Sequence, residues 1–137
     1  MDTAQILETI KMISEEKLAL LAPAATLKSD ALDGVCQGSI YDPTHIPETV
    51  NVSGFEVGGA YFRTAQLLPI YQTTKHYNRE VLLIHGLADK VVSPNASRKF
   101  PTLLPKSELH LIPDECHMFN GKNRPEVLKL GSEFLLK

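Results

Sequence analysis

The sequence predicts an α/β protein with about three parallel strands, flanking helices and an inserted subdomain. Three observations carry this. Val81–Ile84 is a continuous apolar run with β-branched ends, the pattern of a strand buried on both faces. Leu18–Ala22 and Leu109–Ile112 are similar short apolar runs. From residue 78 onward the order reads strand, helix, strand, helix, which describes one side of a parallel sheet.

Taken in order, residues 2–16 read as an amphipathic helix, with Ile6, Ile10 and Ile13 on one face beside Leu7. Leu18–Ala22 is read as a buried strand ended by Pro23, although the preceding helix could extend into it. Ala24–Gln37 is mixed and contains Asp30, Asp33 and Gly34. From Gly38 to Pro69, turn formers recur at Asp42-Pro43, Ile46-Pro47, Ser53-Gly54 and Gly58-Gly59, with short β-prone pieces between them. This stretch predicts hairpins and short helices. It is long for a bare connection, so residues 24–78 are expected to form an inserted segment. A helix within 60–76 would carry Tyr61, Ala65 and Leu68 and be interrupted at Pro69.

After the strand at 81–84, His85-Gly86 is expected to break the extended run. Ser93-Pro94 then starts a helix, with Ser as cap and Pro at the first helical position. That helix should stop before Pro105, with Pro101 able to cut it earlier. A final helix from Pro125 would turn Val127, Leu128, Gly131, Phe134 and Leu135 inward.

The 137 residues suit one domain or part of a larger one. A formal charge of −2 gives no electrostatic case for nucleic acid or an anionic membrane. No apolar run approaches a membrane span, and no secretory signal is visible at Met1-Asp2-Thr3. Two cysteines, Cys36 and Cys116, make no disulfide framework, so a cytoplasmic location is expected. No His, Cys and Asp spacing makes a zinc site, and no cofactor is implied.

The chemistry gathers behind two strands. Asp89 follows Val81–Ile84, and His117 follows Leu109–Ile112 in the loop Pro113-Asp114-Glu115-Cys116-His117. Open parallel sheets place their chemistry at such carboxyl ends. An Asp and a His there are two of the three members of a nucleophile–base–acid triad. His85 reads as structural, and His45 and His76 as solvent-facing.

These residues also carry a resemblance. Ile84-His85-Gly86-x-x-Asp89-x-x-Val92 resembles the acid motif of α/β-hydrolases, and the Cys116-His117 loop sits where that fold keeps its catalytic His. The segments 20–28, 67–71, 91–97 and 109–112 resemble bacterial cinnamoyl/feruloyl esterases. The similarity covers about residues 18–137, the C-terminal part of that fold. It implies that Asp89 orients His117, which shuttles the proton. It also implies that the insertion is a lid whose Asp30, Gln37 and Tyr61 bind the ring hydroxyls of a hydroxycinnamate ester. One departure is that the family often has Gly-Ala-Asp-His where this chain has Asp114-Glu115-Cys116-His117.

None of the eight serines has Gly two places before and two places after. The nucleophile elbow and oxyanion donors of the family are therefore not found in these residues. Gly34-Val35-Cys36-Gln37-Gly38 has the elbow spacing with Cys as nucleophile. However, it neither follows a buried strand nor opens a helix, so it reads as a tight turn in the lid. The expectation is the C-terminal half of an esterase, inactive alone. The alternative is a non-catalytic remnant or binding module that pairs with itself as a homodimer or complements an N-terminal half bearing the nucleophile.

Overall fold

The structure is a computed structural model that describes residues 17–137. The helix expected over 2–16 lies outside the described residues. In chain order the elements are β1 (Leu18–Leu21), α1 (Leu27–Asp33), β2 (Val35–Cys36), β3 (Ser39–Ile40), β4 (Thr49–Val52), β5 (Phe55–Gly58), α2 (Gly59–Leu67) and α3 (Ile70–Thr74). They continue with β6 (Val81–Gly86), α4 (Pro94–Ser97), α5 (Phe100–Leu103), β7 (Ser107–Ile112) and α6 (Arg124–Leu136). Two compact units result. One joins residues 17–23 to Tyr71–Lys137, and the other is Ala24–Ile70.

The first unit is a three-stranded sheet in the order β1-β6-β7. All pairing is parallel, with Leu18 opposite Val81 and Val81 opposite Ser107. β6 is the central strand, and all six of its residues are buried, as its unbroken apolar run requires. Side chains alternate across a strand. Leu82 and Ile84 pack with Ala22, Ile112, Phe119 and Val127, leaving Val81, Leu83 and His85 to the opposite face.

Two expectations are corrected in this unit. The strand does not break at His85-Gly86, because Gly86 is still paired, opposite Ile112. A Cβ on Gly86 would lie 2.2 Å from the Glu115 carbonyl oxygen, so glycine here permits a close backbone approach rather than a turn. In α6 the inward side is Val127, Leu130 and Phe134, whereas Leu128 and Leu135 are exposed. At about 100° per residue, 128 and 135 fall about a third of a turn off the 127–130–134 stripe. As expected of Pro101, the helix begun at Ser93 is cut into α4 and α5, because Pro101 has no N–H to continue the ladder. Ser93 Oγ does cap α4, accepting from the Asn95 N–H at 3.3 Å.

The second unit contains two hairpins and two helices. Gln37-Gly38 and Ser53-Gly54 link the strand pairs, and all four residues have positive φ. Two-residue turns of this hand match the twist of the flanking strands. The core is Tyr41, Val50, Val52 and Phe62, with the Tyr41 and Phe62 rings 4.7 Å apart. Along α2 one face is buried. Gly59, Phe62 and Ala65, at i, i+3 and i+6, are buried, while Tyr61 is exposed and Leu68 is half-buried at the helix end. This compact unit spans Ala24–Ile70. Tyr71 stacks on Phe100 and donates its hydroxyl to the Ala96 carbonyl, which holds the next stretch to the sheet unit.

Candidate active site

The carboxyl ends of β6 and β7 are tied together by backbone. Leu87 N–H donates to the Ile112 carbonyl at 2.9 Å, and Ala88 N–H donates to the Glu115 carbonyl at 2.9 Å. The loop that follows β6 is therefore bolted to the loop that follows β7, and the absent Cβ of Gly86 makes room for this. Asp114 and Phe119 hold positive φ on either side of His117. Such conformations in non-glycine residues cost about 1–3 kcal/mol each and persist only where the surroundings fix them. Phe119 is fixed by burial in the sheet core.

Asp89 emerges from this loop with a fully buried side chain. Its Oδ1 accepts the backbone N–H groups of Val91 at 2.8 Å and Val92 at 2.9 Å. Its Oδ2 accepts from His117 Nδ1 at 2.8 Å and from His85 Nε2 at 2.9 Å. Burial alone would raise the Asp89 carboxyl. The Val92 N–H, the His117 bond, the Val91 N–H and the His117 charge outweigh it, and the net effect holds Asp89 below the usual carboxylate range. Asp89 is thus an anion with every lone-pair direction used.

The His117 side chain remains partly exposed. With Nδ1–H engaged on Asp89, Nε2 carries the lone pair, the tautomer a general base needs. The structure brings together Asp89 and His117, 28 positions apart in sequence. The neighbouring Glu115 is buried; its Oε1 accepts from the Cys116 N–H at 3.1 Å and from Cys116 Sγ at 3.7 Å.

The other expected site residues lie in the second unit. Tyr61 lines a recess of about 320 Å³ with Leu27, Ala60, Thr64, Ala65 and Leu68. Asp30 stands in the first turn of α1, and Gln37 is at the exposed tip of the β2–β3 hairpin; neither lines that recess. Cys36 sits in the same hairpin, after a helix and before another strand, which is the opposite of an elbow's setting. Burial and the Asp30 carboxylate push its thiol up, away from the reactive thiolate.

Sequence reasoning passed over the partnership of His85 with Ser97. Both are fully buried, and Ser97 Oγ lies 2.7 Å from His85 Nδ1. The available signal was a polar residue, His85, closing an otherwise apolar central strand. A larger cleft, about 1050 Å³ and lined by Lys17, Arg79, Val81, Lys106 and Ser107 among others, lies at the amino ends of the strands. That is the wrong end of a parallel sheet for chemistry. Among the described residues, no cluster of three or more His, Cys, Asp or Glu is arranged to hold a metal ion, and no helix is long and apolar enough to cross a membrane.

Among solved structures, the chain is similar to Est1E from Butyrivibrio proteoclasticus, with 30% identity and a TM-score of 0.81 over 88% of this chain and 50% of that one. It is similar to Est1E with ferulic acid bound at 27% identity and a TM-score of 0.79, over 88% and 49% of the two chains. The esterase domain of a Rhodothermus marinus protein matches at 15% identity and a TM-score of 0.55, over 87% and 49%, and shares the fold alone. No family model and no curated protein matches the sequence. The chain spans about half the length of these solved chains. Its fold is that of the C-terminal part of an α/β-hydrolase, and the structures named here are esterases.

Proposed function

We propose that Asp89 and His117 are the acid and base of a carboxylic ester hydrolase acting on hydroxycinnamate-type esters. The observation that carries the reading is the 2.8 Å bond between Asp89 Oδ2 and His117 Nδ1, at the carboxyl ends of neighbouring parallel strands. His117 Nε2 takes the proton of an attacking hydroxyl and later returns it to the leaving alkoxide. Asp89 stabilises the imidazolium between these steps. The similarity to Est1E, solved with ferulic acid bound, supports an aromatic acyl group. A role for the second unit as a lid follows the same reading, with the ring placed at Tyr61 in its recess; Asp30 and Gln37, which lie outside that recess, are proposed as polar contacts on the family resemblance alone.

The 137 residues hold no Gly-x-Ser-x-Gly. In this proposal the nucleophile and oxyanion donors come from a complementing segment that carries the elbow, and these residues alone hydrolyse esters poorly. A second reading, a binding or complementing module without catalysis of its own, is favoured by β1. It is an edge strand of a parallel sheet, with no residue fully buried, and such an edge is a template for pairing.

The test is hydrolysis of an aryl ester and of methyl ferulate by the purified protein, alone and with a separately expressed esterase segment carrying the elbow. His117→Ala serves as the control. Activity that depends on His117 in either format supports the esterase reading. Binding of the added segment with no His117-dependent turnover leaves the module reading in its place.

A further inference from the structure

His85 shares the acid with His117 yet cannot reach a substrate, since none of its side chain is accessible. Its Nε2 lies 2.9 Å from Asp89 Oδ2 and 3.0 Å from the Val92 carbonyl oxygen. Both neighbours are acceptors only, so the proton of a neutral ring must be on Nε2. Nδ1 is then an acceptor, and Ser97 Oγ, at 2.7 Å, donates to it. Ser97 belongs to α4 and is also sealed from solvent. The connections run from hydroxyl to imidazole to carboxylate, the order of a catalytic triad, but in a closed chain.

We infer that His85 is the positioning residue of the acid–base pair: held by Ser97 as the Nε2–H tautomer, it fixes the Asp89 carboxylate so that Oδ2 receives the Nδ1–H of His117. The geometry gives the reason. Oδ1 is anchored by two backbone N–H groups, which set the plane's near edge. Oδ2 has only the two imidazoles. His117 is partly exposed and must itself be oriented, so it cannot also be the anchor. The buried ring is the fixed donor at that oxygen. Outer partners of this kind orient an inner ligand and select its tautomer, and a fully satisfied buried network resists rotation as a unit.

This inference rests on His117 being the base, but its test reads the rings directly. Imidazole ¹⁵N and ¹H NMR on the intact protein reports which nitrogen of each histidine carries hydrogen. In the wild type, His85 is expected as Nε2–H and His117 as Nδ1–H; a His85 ring protonated on Nδ1 alone overturns the inference without any variant. Two substitutions then separate positioning from mere packing. His85→Gln keeps an amide N–H where Nε2 stood. His85→Asn places its amide near Nδ1, keeps a partner for Ser97 and loses the donor to Asp89.

The expected result is a fall of about fivefold in the Nδ1–H to Nε2–H ratio of His117 in His85→Asn, the bias one ordinary hydrogen bond supplies, with the ratio restored in His85→Gln. Equal ratios in the two variants, shifted or not, overturn the inference, because a packing role does not distinguish them. Ester hydrolysis that fails even with the elbow-bearing segment added, while the tautomers behave as stated, rejects only the esterase reading. Hydrolysis that survives while the His117 tautomer is indifferent to His85 rejects only the positioning role.

Discussion

Replacing Asp89 by Asn tests the site without requiring turnover. The asparagine carbonyl can take over Oδ1, keeping the Val91 and Val92 N–H bonds at 2.8 and 2.9 Å. Its NH₂ then occupies the place of Oδ2 and confronts two N–H donors, from His85 and His117. His117 is partly exposed, so it can change tautomer and find water at modest cost. His85 is sealed, and its Nε2–H keeps only the Val92 carbonyl. Hydrogen bonds to a charged group contribute about 1.5–3 kcal/mol each, and the loss at His117 is partial, so the variant should be less stable by about 2–4 kcal/mol. With a urea slope of about 2 kcal/mol/M for a domain of this size, the midpoint falls by about 1–2 M. The assay is urea unfolding followed by far-ultraviolet circular dichroism at neutral pH. A midpoint within about 0.3 M of wild type, at unchanged slope, would refute the claim that Asp89 is held as a four-donor buried anion.

Acidification should reproduce part of that loss. The Asp89 carboxyl is lowered in the folded protein, so its contribution is fully present above the unfolded value of about 3.9 and disappears as pH falls through the folded value. The stability gap between wild type and Asp89→Asn should therefore narrow below about pH 4, as read from urea midpoints across a pH series. Gly86→Ala places a methyl 2.2 Å from the Glu115 carbonyl oxygen. It should cost more than about 3 kcal/mol, the scale of severe overpacking, and weaken the Asp89–His117 bond, both measurable by unfolding and by the His117 ring proton. Phe62→Ala should remove about 3–5 kcal/mol from the second unit, seen as early loss of amide protection within Ala24–Ile70. Cys36→Ser should leave any ester hydrolysis unchanged, because Cys36 lies in a hairpin and its thiol is pushed up; loss of turnover would reopen the Cys nucleophile.

The parallel sheet was legible because its central strand is apolar on both faces, a pattern with few competing explanations. Both hairpins were legible as turn chemistry, through Ser53-Gly54 and the tight turn around Gly38. What was not legible depended on phase or on distance. Leu128 and Leu135 carry the right chemistry for the core but sit about a third of a turn from the Val127–Phe134 stripe, and a window of apolar residues does not fix that angle. Tyr61 and Phe62 are adjacent aromatics, and only packing against Tyr41 selects Phe62 for the interior. Gly86 looked like a strand breaker because glycine's usual signal is a turn; its reason is Glu115, 29 positions away. Asp89 and His117 were legible from their places after two strands. Ser97 was not, since a serine in a short helix gives no sign of a buried imidazole beyond it.

The site's construction has a consequence for what these residues can do. All four donors to Asp89 come from residues 85–117, and the two loops that carry Asp89 and His117 are bonded to each other through Ala88 and Glu115. The pair is therefore organised by one sheet unit, from neighbouring strand ends. If the pair is the acid and base proposed above, it is preorganised: its dipoles and charge need not rearrange when a hydroxyl arrives. Preorganisation has a cost, which is visible in the positive φ of Asp114 and Phe119 and in a buried Glu115 whose Oε2 has no partner among the described residues. Under the esterase proposal these three features have one reason, the fixed placement of the partly exposed His117 imidazole.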